Sequence, residues 1–232
     1  MKRILFLFSI VALLSSCHIV TGSGNIIKEN RSISNFTKIN VEHGFSVEFQ
    51  YGSPSLVIEA DDNVMKYIEV DQDGDELGIG LKGHISLKNA HLRAIVTAPE
   101  LLDVDASSGA QFAALVLLKS DKKLSLSASS GAYIEVDVDA PRVYAEASGG
   151  SRMELGGSTK DYEADASGGA RIQSTGLKSE NTNVTASGGA TATVHASVQL
   201  DAKASGGATV LYIGGANVKK EESGGGTVTT VH

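Results

Sequence analysis

Carboxylates and arginines recur at fixed offsets in the second half of this 232-residue chain. Asp103, Asp105, Glu146, Glu163, Asp165 and Asp201 each stand six or four residues before a recurring glycine. Carboxylates gathered on one sheet face can hold Ca²⁺ or serve as acid and base on a glycosidic bond. Ser, Thr, Asn and Lys share the same two columns, so a solvated face is the better reading. Arg152 and Arg171 stand two residues after that glycine. They would stack beside Glu135 and Glu154 as exposed cross-strand pairs of small individual worth. Tyr133 and Tyr144 also point outward, a thin platform for sugar rings in a chain with no Trp.

Other constellations fall short of a site. Asp71-Gln72-Asp73-Gly74-Asp75-Glu76 matches the start of a calcium loop, but the residue six beyond Gly74 is Gly80, where the loop needs Glu. An acidic turn between strands is expected instead. His18, His43, His84, His91, His195 and His232 show no metal-binding spacing. No catalytic residue, metal ligand or cofactor is therefore assigned, and no enzyme is expected. Cys17 is the only cysteine, which excludes an intramolecular disulfide and a cysteine zinc cluster. A net charge of −7 argues against a nucleic-acid partner.

The elements that must position these groups are written in a repeat. Ala147-Ser148-Gly149-Gly150 recurs with variation, its last glycine at Gly109, Gly131, Gly150, Gly169, Gly189, Gly207 and Gly225. The steps are 22, 19, 19, 20, 18 and 18 residues, the mark of a solenoid. Seven before the glycine stand Leu102, Leu124, Val143, Tyr162, Thr182, Leu200 and Val218; three after stand Phe112, Ile134, Met153, Ile172, Ala192, Val210 and Val228. Residues between are mostly polar. Alternation on both sides of a Gly turn means strand, turn, strand. Each strand then pairs in parallel with its equivalent one coil along, so the seven coils would rise roughly 34 Å at about 4.8 Å each. The last glycine is expected at φ > 0 or where a Cβ has no room. The Ala beside it suggests two sheets meeting closely, and the Ser column would satisfy turn backbone groups through its hydroxyls. Seven copies are more than a nucleophile needs, and no Gly-x-Ser-x-Gly elbow occurs among them.

Taken in order, Lys2 and Arg3 precede an apolar run, Ile4 to Leu14, too short to span a membrane. With Leu14-Ser15-Ser16-Cys17 this start resembles a bacterial lipoprotein signal. Residues 1–16 would be removed and Cys17 would carry the lipid anchor. Removal leaves 18 basic against 27 acidic side chains, a balance of −9. Residues 17–24 read as the lipidated Cys and a tether, 25–102 as irregular coils and a cap, and 103–232 as the regular β-helix. Strand-like runs lie at 36–41, 45–51, 55–60, 77–81 and 94–97. Asp61-Asp62-Asn63 could cap a helical turn over 64–68. Gly44 and Gly83 could be diverged turns of the same coil. Lys220 and Glu222 interrupt the inward columns, as a closing cap should.

With this start, Gly22-Ser23-Gly24-Asn25, the Ala-Pro-Glu-Leu run at 98–101 and the Ser-Gly-Gly coils, the chain resembles the putative auto-transporter adhesin, head GIN domain family. The resemblance implies an all-β, right-handed, pectin-lyase-like parallel β-helix, and a role in adhesion. The family brings no agreed catalytic residues. The expected function is a non-enzymatic binding or adhesion module, held to the cell envelope through Cys17, with a polysaccharide or protein ligand. The alternatives are a polysaccharide lyase or hydrolase on the acidic face, and a self-assembling structural protein. In bacteria of the Bacteroidetes type an acidic cluster after the lipidated Cys resembles a surface-export signal. None follows Cys17, which favours the periplasmic face of the outer membrane.

Overall fold

A computed structural model describes residues 18–83 and 85–231. Its strands are β1 (His18–Thr21), β2 (Ile26–Arg31), β3 (Lys38–Val41), β4 (Ser46–Tyr51) and β5 (Ser55–Asp61). A 3₁₀ turn (Met65–Tyr67) leads to β6 (Ile68–Asp73), β7 (Glu76–Leu81), β8 (Ile85–Lys88), β9 (Leu92–Ala98) and β10 (Asp103–Ala106). Then come β11 (Gln111–Ala114), β12 (Leu118–Lys119), β13 (Lys123–Ala128), β14 (Tyr133–Ala147) and β15 (Arg152–Ala166). The last are β16 (Arg171–Ala186), β17 (Thr191–Ala204), β18 (Thr209–Ile213), β19 (Asn217–Glu222) and β20 (Thr227–Thr230).

Eighteen strands form one continuous sheet wound into a parallel β-solenoid. Before the Ser-Gly-Gly turn, the parallel ladder runs β7, β3, β10, β13, β14, β15, β16, β17, β19. After the turn it runs β9, β4, β11, β14, β15, β16, β17, β18, β20. Nine layers at about 4.8 Å per step give a stack about 38 Å tall. Inward columns such as Phe112, Ile134, Met153 and Ile172 fill its core.

Within a coil the in–out alternation breaks at corners. In β15 it breaks at Gly156-Gly157 and again at Lys160-Asp161, and in β14 at Pro141-Arg142. With the Ser-Gly-Gly turn, the two corners of β15 divide its coil into three runs. Unequal coil lengths are absorbed at the corners. The 22-residue coil pushes Leu115 and Leu117 out into solvent. The pairing of β15 with β16 slips after Glu154, and that of β16 with β17 slips after Ser174. The turn column therefore stays in register through every coil.

All seven predicted glycines have positive φ, from +74° to +80°. A Cβ there would meet open space at Gly109, Gly131, Gly150, Gly169, Gly189 and Gly207, so conformation rather than room selects glycine. Crowding falls on the residue before it: a Cβ on Gly168 would lie 3.2 Å from the Gly149 nitrogen. The serine hydroxyls do not bond the turn among the described residues. Backbone does so instead: Ala170 N–H donates to the Ser167 carbonyl at 3.1 Å, and Gly169 N–H donates to the Gly188 carbonyl of the next coil at 3.1 Å. The Ala column before the turn is buried. A second small column after it (Ala110, Ala132, Ser151, Ala170, Ala190, Ala208) is buried too, so the two ladders pinch together there.

The first layers are out of chain order. The coil carrying β3 and β4 lies between the later β7/β9 layer and the β10/β11 layer. Gly44 takes its place in the turn column, because Val41 pairs with Ala106. Below them, antiparallel β5 covers β9, β2 covers β5, and β6 covers β7. Asp61-Asp62-Asn63 does not cap the 3₁₀ turn, whose N-cap Val64 has no side-chain bond. Nor is 18–24 a free tether: β1 pairs in parallel with β8 over four residues. Gly24 N–H and His91 N–H both donate to the enclosed Asp61 carboxylate at 2.6 Å, and Ser23 Oγ and Asn25 Nδ2 donate to Asp62. At the other end, Glu222 Oε1 accepts from Val228 N–H at 2.6 Å, and Lys220 lies 3.8 Å from the same oxygen.

Candidate functional site

Outward columns of the post-turn ladder build one open groove. Parallel register aligns Gln111, Tyr133, Arg152, Arg171 and Thr191 in one row, and Ala113, Glu135, Glu154, Gln173 and Thr193 in the next. The groove, of about 540 Å³, lies over the second row, lined by Ala113, Glu135, Glu154 and Gln173, and the first row borders it. Ala113, Ala114, Gly156 and Gly176 keep it open, and Leu115, 57% exposed, forms its wall at the long coil. A Cβ at Gly156 would fall 2.0 Å from Asp137 Oδ1, so any side chain there would displace the Asp137 carboxylate.

Polar groups of the groove hold one another in place. Arg152 Nη2 donates to Glu154 Oε1 at 2.5 Å and to Gln173 Oε1 at 2.7 Å. Tyr133 Oη donates to Glu135 Oε2 at 3.1 Å, and the Arg152 guanidinium lies 6.0 Å from the Tyr133 ring centre. Burial, then the Glu135 and Glu154 carboxylates, push the Tyr133 phenol up to about 12, so it remains a donor at neutral pH. Among the described residues Arg171 forms no ion pair. Fixed carboxylates, two guanidiniums and a tyrosine on a rigid sheet offer directional hydrogen bonds to a hydroxyl-rich ligand. Glu135 and Glu154 project side by side from one wall. Glycosidases instead place two carboxyl groups about the scissile bond.

The acidic face lies on the pre-turn ladder. Tyr144 Oη donates to Glu146 Oε2 at 3.0 Å and Asp165 Oδ2 at 3.4 Å, with the Lys123 ammonium 4.6 Å from its ring centre. Burial pushes the Asp103 and Asp105 carboxyls up; Glu42, Glu76 and Glu146 add to the rise at Asp105. Asp201 pairs with Lys219 at 3.1 Å. Among the described residues no three His, Cys, Asp or Glu side chains are placed to hold a metal. Asp71–Glu76 is the β6–β7 hairpin, with Gly74 at φ +59°. Cys17 lies outside the described residues. Gln173, Asp137 and the glycine ledge are the groove residues that sequence reasoning passed over. A Gly-Gly pair at 156–157, outside the turn column, was the available signal.

A parallel β-solenoid with a polar groove on one flank and a lipoprotein-like start defines the class. The chain belongs to the putative auto-transporter adhesin, head GIN domain family, whose profile matches residues 35–216. Residues 1–17 match a prokaryotic membrane lipoprotein lipid attachment site, so this is a membrane-anchored cell-envelope protein. No curated protein matches the chain. A putative adhesin from Bacteroides fragilis has a similar structure (TM-score 0.83, 17% identity, covering 91% of this chain and 98% of its own). So does a putative adhesin from Parabacteroides merdae (0.73, 21%, 93% and 100%). A third is a putative lipid binding protein from Parabacteroides distasonis (0.72, 16%, 92% and 100%). At these identities the likeness establishes the fold.

Proposed function

We propose that the solenoid is a non-enzymatic binding and adhesion module of the outer membrane, anchored through Cys17 on the periplasmic side, and that its ligand is a polysaccharide. The groove lined by Glu135, Glu154 and Gln173 carries this reading, with Arg152 and Tyr133 bonded to those side chains along its border. It is open, rigid and lined by interlocked polar groups, which suits a chain lying across several coils. Charges lining it weigh against an acyl chain, although one structural relative is named a putative lipid binding protein. The Lys220–Glu222 closure supports a solenoid that ends in water rather than in another copy. Calorimetry of the chain from residue 18 against a panel of envelope and host polysaccharides tests the proposal. Binding that falls at least tenfold in Arg152→Ala and is unchanged in Lys178→Ala, outside the groove, is expected. Release of sugar fragments, or binding indifferent to Arg152, overturns it.

A further inference from the structure

The acyl chains leave the molecule at the residue immediately before β1. Consecutive Cα atoms are about 3.8 Å apart, so the paired β1–β8 unit begins one residue from the lipidated position. Beyond β1, residues 22–25 are fastened to Asp61, Asp62 and Asn63 by five hydrogen bonds of 2.6 to 3.1 Å, one of them from Asp62 N–H to the Asn25 carbonyl. Little chain is left in which the solenoid could swing.

Three large apolar side chains are exposed at this end. Ile19, two residues from Cys17, is 64% exposed. β2 is the outermost strand of the cap, paired on one edge only among the described residues, and all of it is open to solvent except the half-buried Arg31. Its Ile26 and Ile27 are 50% and 38% exposed on opposite faces of the strand. Charges beside them are already paired: Lys28 with Glu59, and Arg31 with Glu29 at 2.9 Å. Exposed isoleucines on an edge strand invite aggregation unless something covers them.

We propose that the bilayer covers them. The cap rests in the headgroup layer, edge-on along β2, with Ile19, Ile26 and Ile27 reaching the acyl boundary. Free N–H and C=O groups of the β2 edge stay at headgroup depth, where water and phosphate can bond them. The solenoid then stands on its base, with Thr229 ten strand spacings from β2, about 48 Å along the ladder, at the far end. This inference rests on the lipid at Cys17 and is independent of the ligand in the groove.

The test uses the lipidated protein in vesicles of phosphatidylethanolamine and phosphatidylglycerol carrying a headgroup-linked quencher. Lipidation consumes the only native thiol, so a cysteine introduced by Asn30→Cys or by Thr229→Cys takes a single fluorescent label. Quenching at 30 at least fivefold stronger than at 229 is expected. Ile19→Ser, Ile26→Ser and Ile27→Ser together should reduce quenching at 30 at least twofold while circular dichroism is unchanged. Equal quenching at both sites, or quenching at 30 indifferent to the three serines, overturns the proposal. Failure of the protein to enter vesicles would instead refute the lipid at Cys17, which mass spectrometry of the N-terminal peptide reads separately.

Discussion

Two glycines in one coil test the account of the corners. Gly157 has φ +100°, and a Cβ on it would lie 2.0 Å from the Val138 carbonyl oxygen of the coil below. Gly169 has φ +76°, and a Cβ there meets nothing within 4 Å. Gly169→Ala therefore bears only the left-handed backbone cost, about 1–2 kcal/mol. Gly157→Ala bears that cost and must also push β15 off β14 by about an ångström. That disturbs one or two ladder bonds worth about 1 kcal/mol each, for a total of about 2–4 kcal/mol. In urea, with a slope near 2 kcal/mol per molar, the midpoints should fall by about 0.5–1 M and about 1–2 M respectively. Far-UV circular dichroism reads the midpoints, and hydrogen exchange at Val138 and Thr159 should show the Gly157 damage as local, since a coil contacts only its neighbours. Equal midpoints, or a loss below about 1 kcal/mol at Gly157, would mean that the close approach to Val138 does not select glycine at this corner.

Other expectations follow from the same structure. Asp61→Asn should free residues 18–25, seen as new protease cleavage there at pH 7. Its two N–H donors hold the Asp61 carboxyl below its ordinary value. The contribution is thus present above the unfolded pKa near 3.8 and lost as pH falls through the lower folded one, so mutant and parent should converge in acid. Asp105 is opposite in sign: burial raises its carboxyl, so the folded state disfavours the anion. Asp105→Asn should raise the melting temperature at pH 7 and have no effect below pH 3. Lys220→Leu with Glu222→Leu removes the inward charges of the last coil, and light scattering should then show a larger mass than that of the parent. Ile172→Ala leaves a core cavity and should cost about 2–5 kcal/mol by denaturant titration.

Much of the solenoid was readable because its restraints are local and repeated. Positive φ at Gly150 or Gly169 demands glycine in every copy, and columns such as Ile134, Met153 and Ile172 alternate regularly enough to assign the strands. The N-terminal layers were harder. Antiparallel β2 and β6 cover edges that belong to β5 and β7, and only tertiary pairing gives those segments a reason to extend. Phe36 and Phe45 stood out as apolar, but nothing in the spacing of Gly44 said that its coil is flanked by a later one. The groove was half visible. Arg152 and Glu154 were legible as a pair, whereas the opening depends on side chains that are missing, at Gly156, Gly176 and Ala113. Absent side chains leave no chemical signal of their own.

The reversed order of the first layers bears on how the chain acquires its fold. Asp103–Ala106 stacks on Lys38–Val41, and Glu76–Leu81 stacks on the other side of the same strand. That coil therefore waits for partners up to 65 residues away, a loop closure no later coil requires. Each coil from β13 onward needs only its predecessor, 18 to 22 residues back. Growth then has a slow, non-local start at the anchored base and a rapid, one-directional zipper beyond it. For a chain delivered amino-terminus first, synthesis order and folding order coincide, and the end nearest the lipid is complete before the groove is drawn.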